Sequence, residues 1–272
     1  MPRDLGDVIH HFIPEAGKGS ATAPSAANTA HGSSRPAASP AHVVGLPMIE
    51  GDVLRAAFAW NLSVELARAG AASHLIAPRD DAASAAWPAA GEGPLGAILE
   101  LSDTSDGQHL SQLAARAEDA ARTPVAGRPK RRARCTLACI PEVEIEIACE
   151  SNHAPPRWLL LCSANTDSLT HTRDLILRIG RANPAVRIGV TIHGVRSIDE
   201  ARDAFDAPAV ATDASLAKPI DSYGLVADDL HLYRAIVAGR PIGLAHPQSP
   251  AARALADAAK LLLEDLEEPS HV

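Results

Sequence analysis

Four cysteines, twelve histidines and one run of cations are the side chains of this chain best suited to chemistry. Cys135 and Cys139 have three residues between them, and no His or Cys pair follows at the spacing that closes a zinc site. With Cys149 and Cys162 they read as buried free thiols. His10-His11 lacks a third ligand nearby. Ser168 and His171 are close enough in sequence for a nucleophile and a base, but they fall at an expected helix start, where Ser168 or Thr170 reads as a cap. Asp228-Asp229, just before Leu230, reads likewise as a helix N-terminus rather than a carboxylate dyad. No G-x-S-x-G or H-E-x-x-H pattern is present. The run RPKRRAR, residues 128–134, places five cations in seven positions. Phosphate contacts are one use for such a run, with steep salt dependence. Its Pro/Gly surroundings favour a solvated loop, and after that a contact for an acidic partner.

The chain that must position these groups has 272 residues and a formal net charge of −8. That charge argues against bulk attraction to DNA or anionic lipid. Aromatic residues are only 3%, so the core must be Ala, Leu, Ile and Val, and stacking on nucleic-acid bases is disfavoured. No stretch approaches the roughly 20 apolar residues of a membrane span. Residues 1–11 lack the apolar core of a secretory signal, so a cytoplasmic protein is the expectation.

Three zones follow. Leu5, Val8, Ile9, Phe12 and Ile13 share one helix face over residues 1–15, with Asp4 as a cap and Pro14 as the stop. Residues 16–41 carry no apolar side chain larger than Ala and are expected to be a disordered linker. A short helix on a loose tether is the layout of a partner-docking motif, and a helix folded back on its own domain is the alternative. Residues 42–268 alternate short apolar runs with helical periodicity, which predicts a doubly wound α/β domain with a mostly parallel sheet. Strands are expected at 42–46, 73–77, 97–101, 135–140, 143–148, 158–162, 187–192 and 223–226. Helices are expected at 52–69, 110–122, 170–183, 198–205, 230–237 and 250–266. Segments 78–96 and 123–134 read as irregular loops.

Residues Asn61-Leu-Ser-Val-Glu-Leu-Ala-Arg-Ala-Gly70 resemble the helix after the phosphate loop of MinD/ParA-type ATPases, the deviant Walker A branch of P-loop NTPases. Residues 158–205 are similar to the late strand–helix–strand–helix of that family. Residues 223–263 (YGLVADDL…HPQSPAARALADAAKLLL) look like its closing section, and most like the FlhG flagellar-number regulators, with their G-x-[IV]-P-x-D and P-x-S-P-A-[SA]-R patterns. About two-thirds of the chain is covered, and 78–157 matches poorly. The resemblance implies a P-loop NTPase fold. In the FlhG branch a short N-terminal helix acts on a partner GTPase. The D-Q-A-x-x-L-R motif of that helix is absent here, so only the layout carries over.

Setting Asn61-Leu62 on the family's N-L places Glu50-Gly51-Asp52-Val53-Leu54-Arg55-Ala56 on K-G-G-V-G-K-S. A phosphate loop needs glycines to converge its amides on the phosphates, a Lys for their charge, and a hydroxyl for Mg²⁺. Only Gly51 is kept. Glu50 replaces the signature Lys, Asp52 replaces a glycine, Arg55 replaces the point charge with a fork, and Ala56 removes the hydroxyl. A carboxylate about 4 Å from a phosphate charge costs roughly 4 kcal/mol at an effective dielectric near 20. The family's catalytic Asp falls on Ala77 and its base-reading Asn on His193, and its Walker B strand corresponds to 145–150, which has no aligned Asp or Gly. The expectation is a degenerate nucleotide site at Glu50, Gly51, Asp52, Arg55, Ala56, Ala77 and His193, with no catalytic residue, metal or cofactor. The chain would act as a pseudo-ATPase regulator or scaffold in positioning a cellular assembly. Its protein partner would be held by Leu5, Val8, Ile9, Phe12 and Ile13, and a dimer with itself or a related ATPase is allowed for. The alternatives are an atypical ATPase that binds ATP and Mg²⁺ and dimerises on ATP, and a nucleotide or small-molecule sensor that does not hydrolyse. The terminal helix ends Glu264-Asp-Leu-Glu-Glu268, which repels anionic lipid and points to core packing.

Overall fold

In a computed structural model of the protein, the described residues are 3–5, 41–49, 52–79, 87–102, 133–151 and 154–267. They build an eight-stranded sheet. Its strands are β1 (Ala41–Met48), β2 (Ala72–Pro78), β3 (Gly91–Glu92), β4 (Ile98–Ser102), β5 (Arg134–Pro141), β6 (Arg157–Ser163), β7 (Arg187–Val195) and β8 (Asp221–Ala227). The order across the sheet is β3-β4-β2-β5-β1-β6-β7-β8, and every pairing is parallel except β3 with β4. The helices are α1 (Val53–Arg68), α2 (Ile145–Glu150), α3 (Thr166–Ala182), α4 (Ile198–Asp213), α5 (Leu230–Val237), α6 (Ile242–Ala245) and α7 (Pro250–Glu267).

The strand order explains the layers. From β1 the chain moves toward β2 through α1; from β6 it moves the opposite way, through α3 to β7 and α4 to β8. Crossovers between parallel strands are right-handed, so the two directions put their helices on opposite faces. α1 packs with α7 in one layer, and α3 packs with α2 and α4 in the other. Every residue of α1 from Arg55 to Leu66 is buried, as befits a helix that is apolar nearly all round. The order reverses between β1 and β6, which opens a crevice at the carboxyl ends of these strands.

The doubly wound, mostly parallel sheet is as expected, and seven of the eight expected strands are present. The eighth, 143–148, is a correction. Glu142–Glu144 is a 3-10 turn and α2 follows it. The alternation Val-Glu-Ile-Glu-Ile has period two, but Glu142 and Glu146 are also four residues apart. The Arg178 guanidinium on α3 takes both, at 2.8 Å and 2.6 Å, which requires helical spacing. α3 begins at Thr166, not 170, because the Asn165 side chain caps it by accepting the Ser168 amide at 2.8 Å. α4 runs eight residues past 205, through Pro208. Within 78–96, read as loop, Gly91–Glu92 adds an antiparallel edge to β4. The expected helix at 110–122 and the linker lie outside the described residues, apart from Ala41, which opens β1.

Two glycines let large rings lie flat on the sheet. A Cβ on Gly45 would sit 2.7 Å from the Trp158 ring, and one on Gly189 would sit 2.2 Å from the Tyr223 ring. The Tyr223 ring has little freedom to yield. Its hydroxyl accepts from Arg157 at 2.5 Å and donates to Asp265, which also accepts from Arg157 and Arg3. Arg3 itself lies over the Tyr223 ring, and its carbonyl accepts the Ser222 amide at 2.9 Å. Leu5 is 1% exposed and belongs to the core. Gly189→Ala is therefore expected to cost about 1–3 kcal/mol of stability, measured as a lower urea midpoint at unchanged m-value; an unchanged midpoint would show that the ring moves freely.

Candidate functional site

The crevice between β1 and β6 is where the sequence places its candidate site, and its floor is the first turn of α1. β1 ends at Met48 and α1 begins at Val53, so only residues 49–52 connect them. Glu50 and Gly51 lie outside the described residues. Asp52 is the N-cap: one carboxylate oxygen accepts the Arg55 amide at 3.0 Å, and the other accepts Arg55 Nε at 2.9 Å. Arg55 is 6% exposed, and its Nη1 reaches the Pro47 carbonyl at 3.4 Å. An exposed first turn offers amides and a positive dipole end to an anion. Here a carboxylate of the chain itself occupies an amide of that turn and pairs with the neighbouring guanidinium.

Ala56 is fully buried in α1, and Ala77 is fully buried in β2, between β4 and β5. Each presents a methyl group to the core. His193, near the end of β7, lies across the crevice. With Leu54, Ala57, Phe58, Leu161, Val226, Leu232 and Leu255 it lines a cavity of about 20 Å³, room for one water. Burial pushes the His193 imidazole below its usual value of 6.5; Asp52 opposes this and Arg55 reinforces it. The structure thus gathers Asp52, Arg55 and His193 around one crevice, and leaves Ala56 in the core and Ala77 inside the sheet. Leu5, expected at a partner surface, is instead buried in the chain's own core. Val8, Ile9, Phe12 and Ile13 lie outside the described residues.

The segment 145–150, set by the family resemblance on the Walker B strand, is no strand but α2; the strand before it, β5, pairs with β1 on the side away from β6. β5 ends Cys139-Ile-Pro141 and leads into Glu142, which is engaged by Arg178 and lies 3.4 Å from His171. Ser168 uses its hydroxyl to accept the Ser163 amide at 2.9 Å, so Ser168 and His171 have separate partners. Cys135 and Cys139 are four residues apart along β5, about 13 Å at strand rise, too far to share an ion. All four cysteines are buried, and burial pushes the Cys135 thiol up to about 12 and the Cys149 thiol up to about 11. Asp229 is a cap, as read from the sequence. It accepts the His231 amide at 2.9 Å and the Ala251 amide at 3.2 Å, and so joins the starts of α5 and α7. Burial acts to raise its carboxyl, but these bonds and one from Ser249 outweigh it and hold the group below the usual carboxylate value.

One buried contact escaped the sequence reading, which took Asn61 only as the anchor of the family resemblance. Asn61, 4% exposed, donates to Ala57 O and accepts the Ile242 amide, both at 2.7 Å. It fixes α6 against α1. The signal was present: an Asn in an otherwise apolar helix must find a buried partner.

No protein-family model and no curated protein matches the sequence, but solved structures are similar to the fold. MinD cell division protein of Aquifex aeolicus superposes with a TM-score of 0.57 at 16% identity, covering 82% of this chain and 97% of that one. A ParA family ATPase from Chlorobium tepidum gives 0.54 at 11%, covering 82% and 100%. The septum site-determining protein MinD of Pyrococcus horikoshii, solved with Mg-ADP, gives 0.54 at 12%, covering 81% and 95%. This is the MinD/ParA fold. At these identities the likeness speaks to architecture: the eight strands and their helices are arranged as in MinD. No helix among the described residues is long and apolar enough to cross a membrane.

Two histidines make the stability of this MinD-like domain pH-dependent. His193 and His42 are both held below 6.5, His42 by burial and by Arg157 against the pull of Glu267. Each stays neutral in the fold while the unfolded chain takes up a proton near 6.5. Stability is therefore full above that pH and falls as pH drops toward the folded values. Urea unfolding between about pH 7.5 and 5 is expected to show this loss, and a His42→Asn/His193→Asn chain is expected to lose less over the same range. Equal slopes would assign the effect to other groups.

Proposed function

We propose that this protein is a nucleotide-independent relative of the MinD and ParA ATPases, a regulator or scaffold in the spatial positioning of a cellular assembly that acts through protein contacts. The observation that carries this reading is the Asp52–Arg55 pair. In the matched position a phosphate loop would present glycine amides and an unpaired Lys. Here α1 has already begun at Val53, its Arg55 amide is capped by Asp52, and the Arg55 fork is buried against that carboxylate. A triphosphate would have to displace a paired carboxylate and meet its charge. Ala56 offers Mg²⁺ no oxygen, and no group of three or more potential ligands stands together among the described residues. The cavity beside His193 is lined by Leu54, Ala57, Phe58, Leu161, Val226, Leu232 and Leu255 and offers a phosphate no cation beyond that imidazole. These residues do not fit ATP–Mg²⁺.

The positioning role draws on the fold shared with MinD and ParA, and the FlhG-like closing section narrows it toward regulation of a motility or surface assembly in the cytoplasm. Partner contact is assigned to Val8, Ile9, Phe12 and Ile13, with Leu5 withdrawn because it is buried.

Isothermal titration of the full chain with ATP–Mg²⁺ is expected to give no binding tighter than about 1 mM and no turnover. Micromolar binding with turnover would establish the atypical ATPase instead. Binding without turnover would establish a sensor.

A further inference from the structure

We propose that the outer face of α5 is a self-association surface, on which two copies of this chain pair their α5 helices antiparallel about a two-fold axis. α5 is apolar on two sides. Ala235 and Leu232 face the core. The opposite side carries Leu230, Tyr233 and Val237, which are 61%, 42% and 90% exposed. Their spacing of i, i+3 and i+7 puts them on one face together with Arg234. The domain covers one apolar side of α5 and leaves the second, broken only by Arg234, in solvent.

Charge selects the occupant. Residues 230–240 contain no acid, in a chain whose net charge is −8. Arg234 and Arg240 are exposed and form no ion pair among the described residues. Asp228 is exposed at the other end of the helix, and its recorded partner is the Tyr233 hydroxyl at 3.2 Å. An antiparallel copy answers all of these at once. With position 233 of one helix opposite 234 of the other, Leu230 meets Val237 of the second copy and Tyr233 meets the second Arg234 as a cation–π pair. The acid before the helix, Asp228, then meets the second Arg240, twice by symmetry. The two helix dipoles also run antiparallel. An anionic bilayer would gain only two arginines against an acidic protein, and an acidic partner helix would leave Asp228 facing like charge. The patch is small, so the dimer is weak and forms on concentration. Contacts of one patch with its own copy close on themselves and do not propagate.

Sedimentation velocity of the full chain without nucleotide, over about 1–200 µM, is expected to show a monomer–dimer equilibrium. Val237→Glu, at a 90% exposed site, leaves the fold intact and is expected to raise the dissociation constant about tenfold or more. Asp228→Arg weakens the dimer, and Asp228→Arg/Arg240→Asp restores it, because the pair is exchanged on both copies. A monomer at all concentrations overturns the proposal. So does a dimer that survives Val237→Glu, a double exchange that fails to rescue, or association that appears only with ATP–Mg²⁺. None of the nucleotide-free outcomes bears on the ATP titration, so the two proposals stand or fall separately.

Discussion

The sheet depends on its seam. β1 pairs with β5 over eight residues, from Ala41 with Arg134 to Met48 with Pro141, but with β6 over only two, Val44 with Arg157 and Gly45 with Trp158. Five strands lie on one side of that join and three on the other. So short a ladder contributes few hydrogen bonds, and burial must make up the difference. Trp158, fully buried, lies across Gly45, where any side chain would collide with its ring. The α1–α7 layer spans the join from one face. At its amino end, Arg157 is held by Tyr223 and Asp265, which ties β6 to β8 and α7.

A narrow join that splays at its carboxyl end is also what makes room for a ligand in doubly wound sheets. Here the space is used differently. The first turn of α1 is closed by Asp52, the guanidinium of Arg55 is folded under it, and the walls beyond are Leu54, Phe58, Leu161, Val226 and Leu255 around one neutral His193. Among the described residues this corner is apolar, and its charged pair, Asp52 with Arg55, is neutralised within the chain. Such a corner costs little to keep, because each buried polar group in it has a partner or a reason to stay uncharged.

Much of this was legible in the residues. β1, β2, β5, β6 and β7 are runs of Val, Ile, Leu, Ala and Cys with turn residues at their ends, and α5 was placed to the residue. That Asp52, Arg55 and Ala56 fall where a phosphate loop would stand was readable only through the family resemblance. Their geometry was not readable at all, since whether Arg55 reaches for a ligand or folds onto Asp52 depends on where the helix starts. The segment after Pro141 was misread because alternation and i,i+4 spacing coexist in Glu142-Val-Glu-Ile-Glu146, and the deciding partner, Arg178, lies 32 residues away. Leu5 was misread for a similar reason: an amphipathic pattern says that a face will be covered, not by what.

The contacts of residues 3–5 also set an order in time. Arg3 gives its carbonyl to the Ser222 amide on β8, the outermost strand, and its guanidinium to Asp265, two residues before the end of α7. Residues 3–5 therefore have no place to settle until β8 and α7 are in position. Until then the flank of β8 has no cover at Ser222, and Leu5 has no core to enter. Contacts between chain ends are the slowest to form, because the whole intervening loop must close first. Closure of this domain is thus late by construction, and a chain without the Asp265 carboxylate would lack the clasp that joins Arg3, Arg157 and Tyr223.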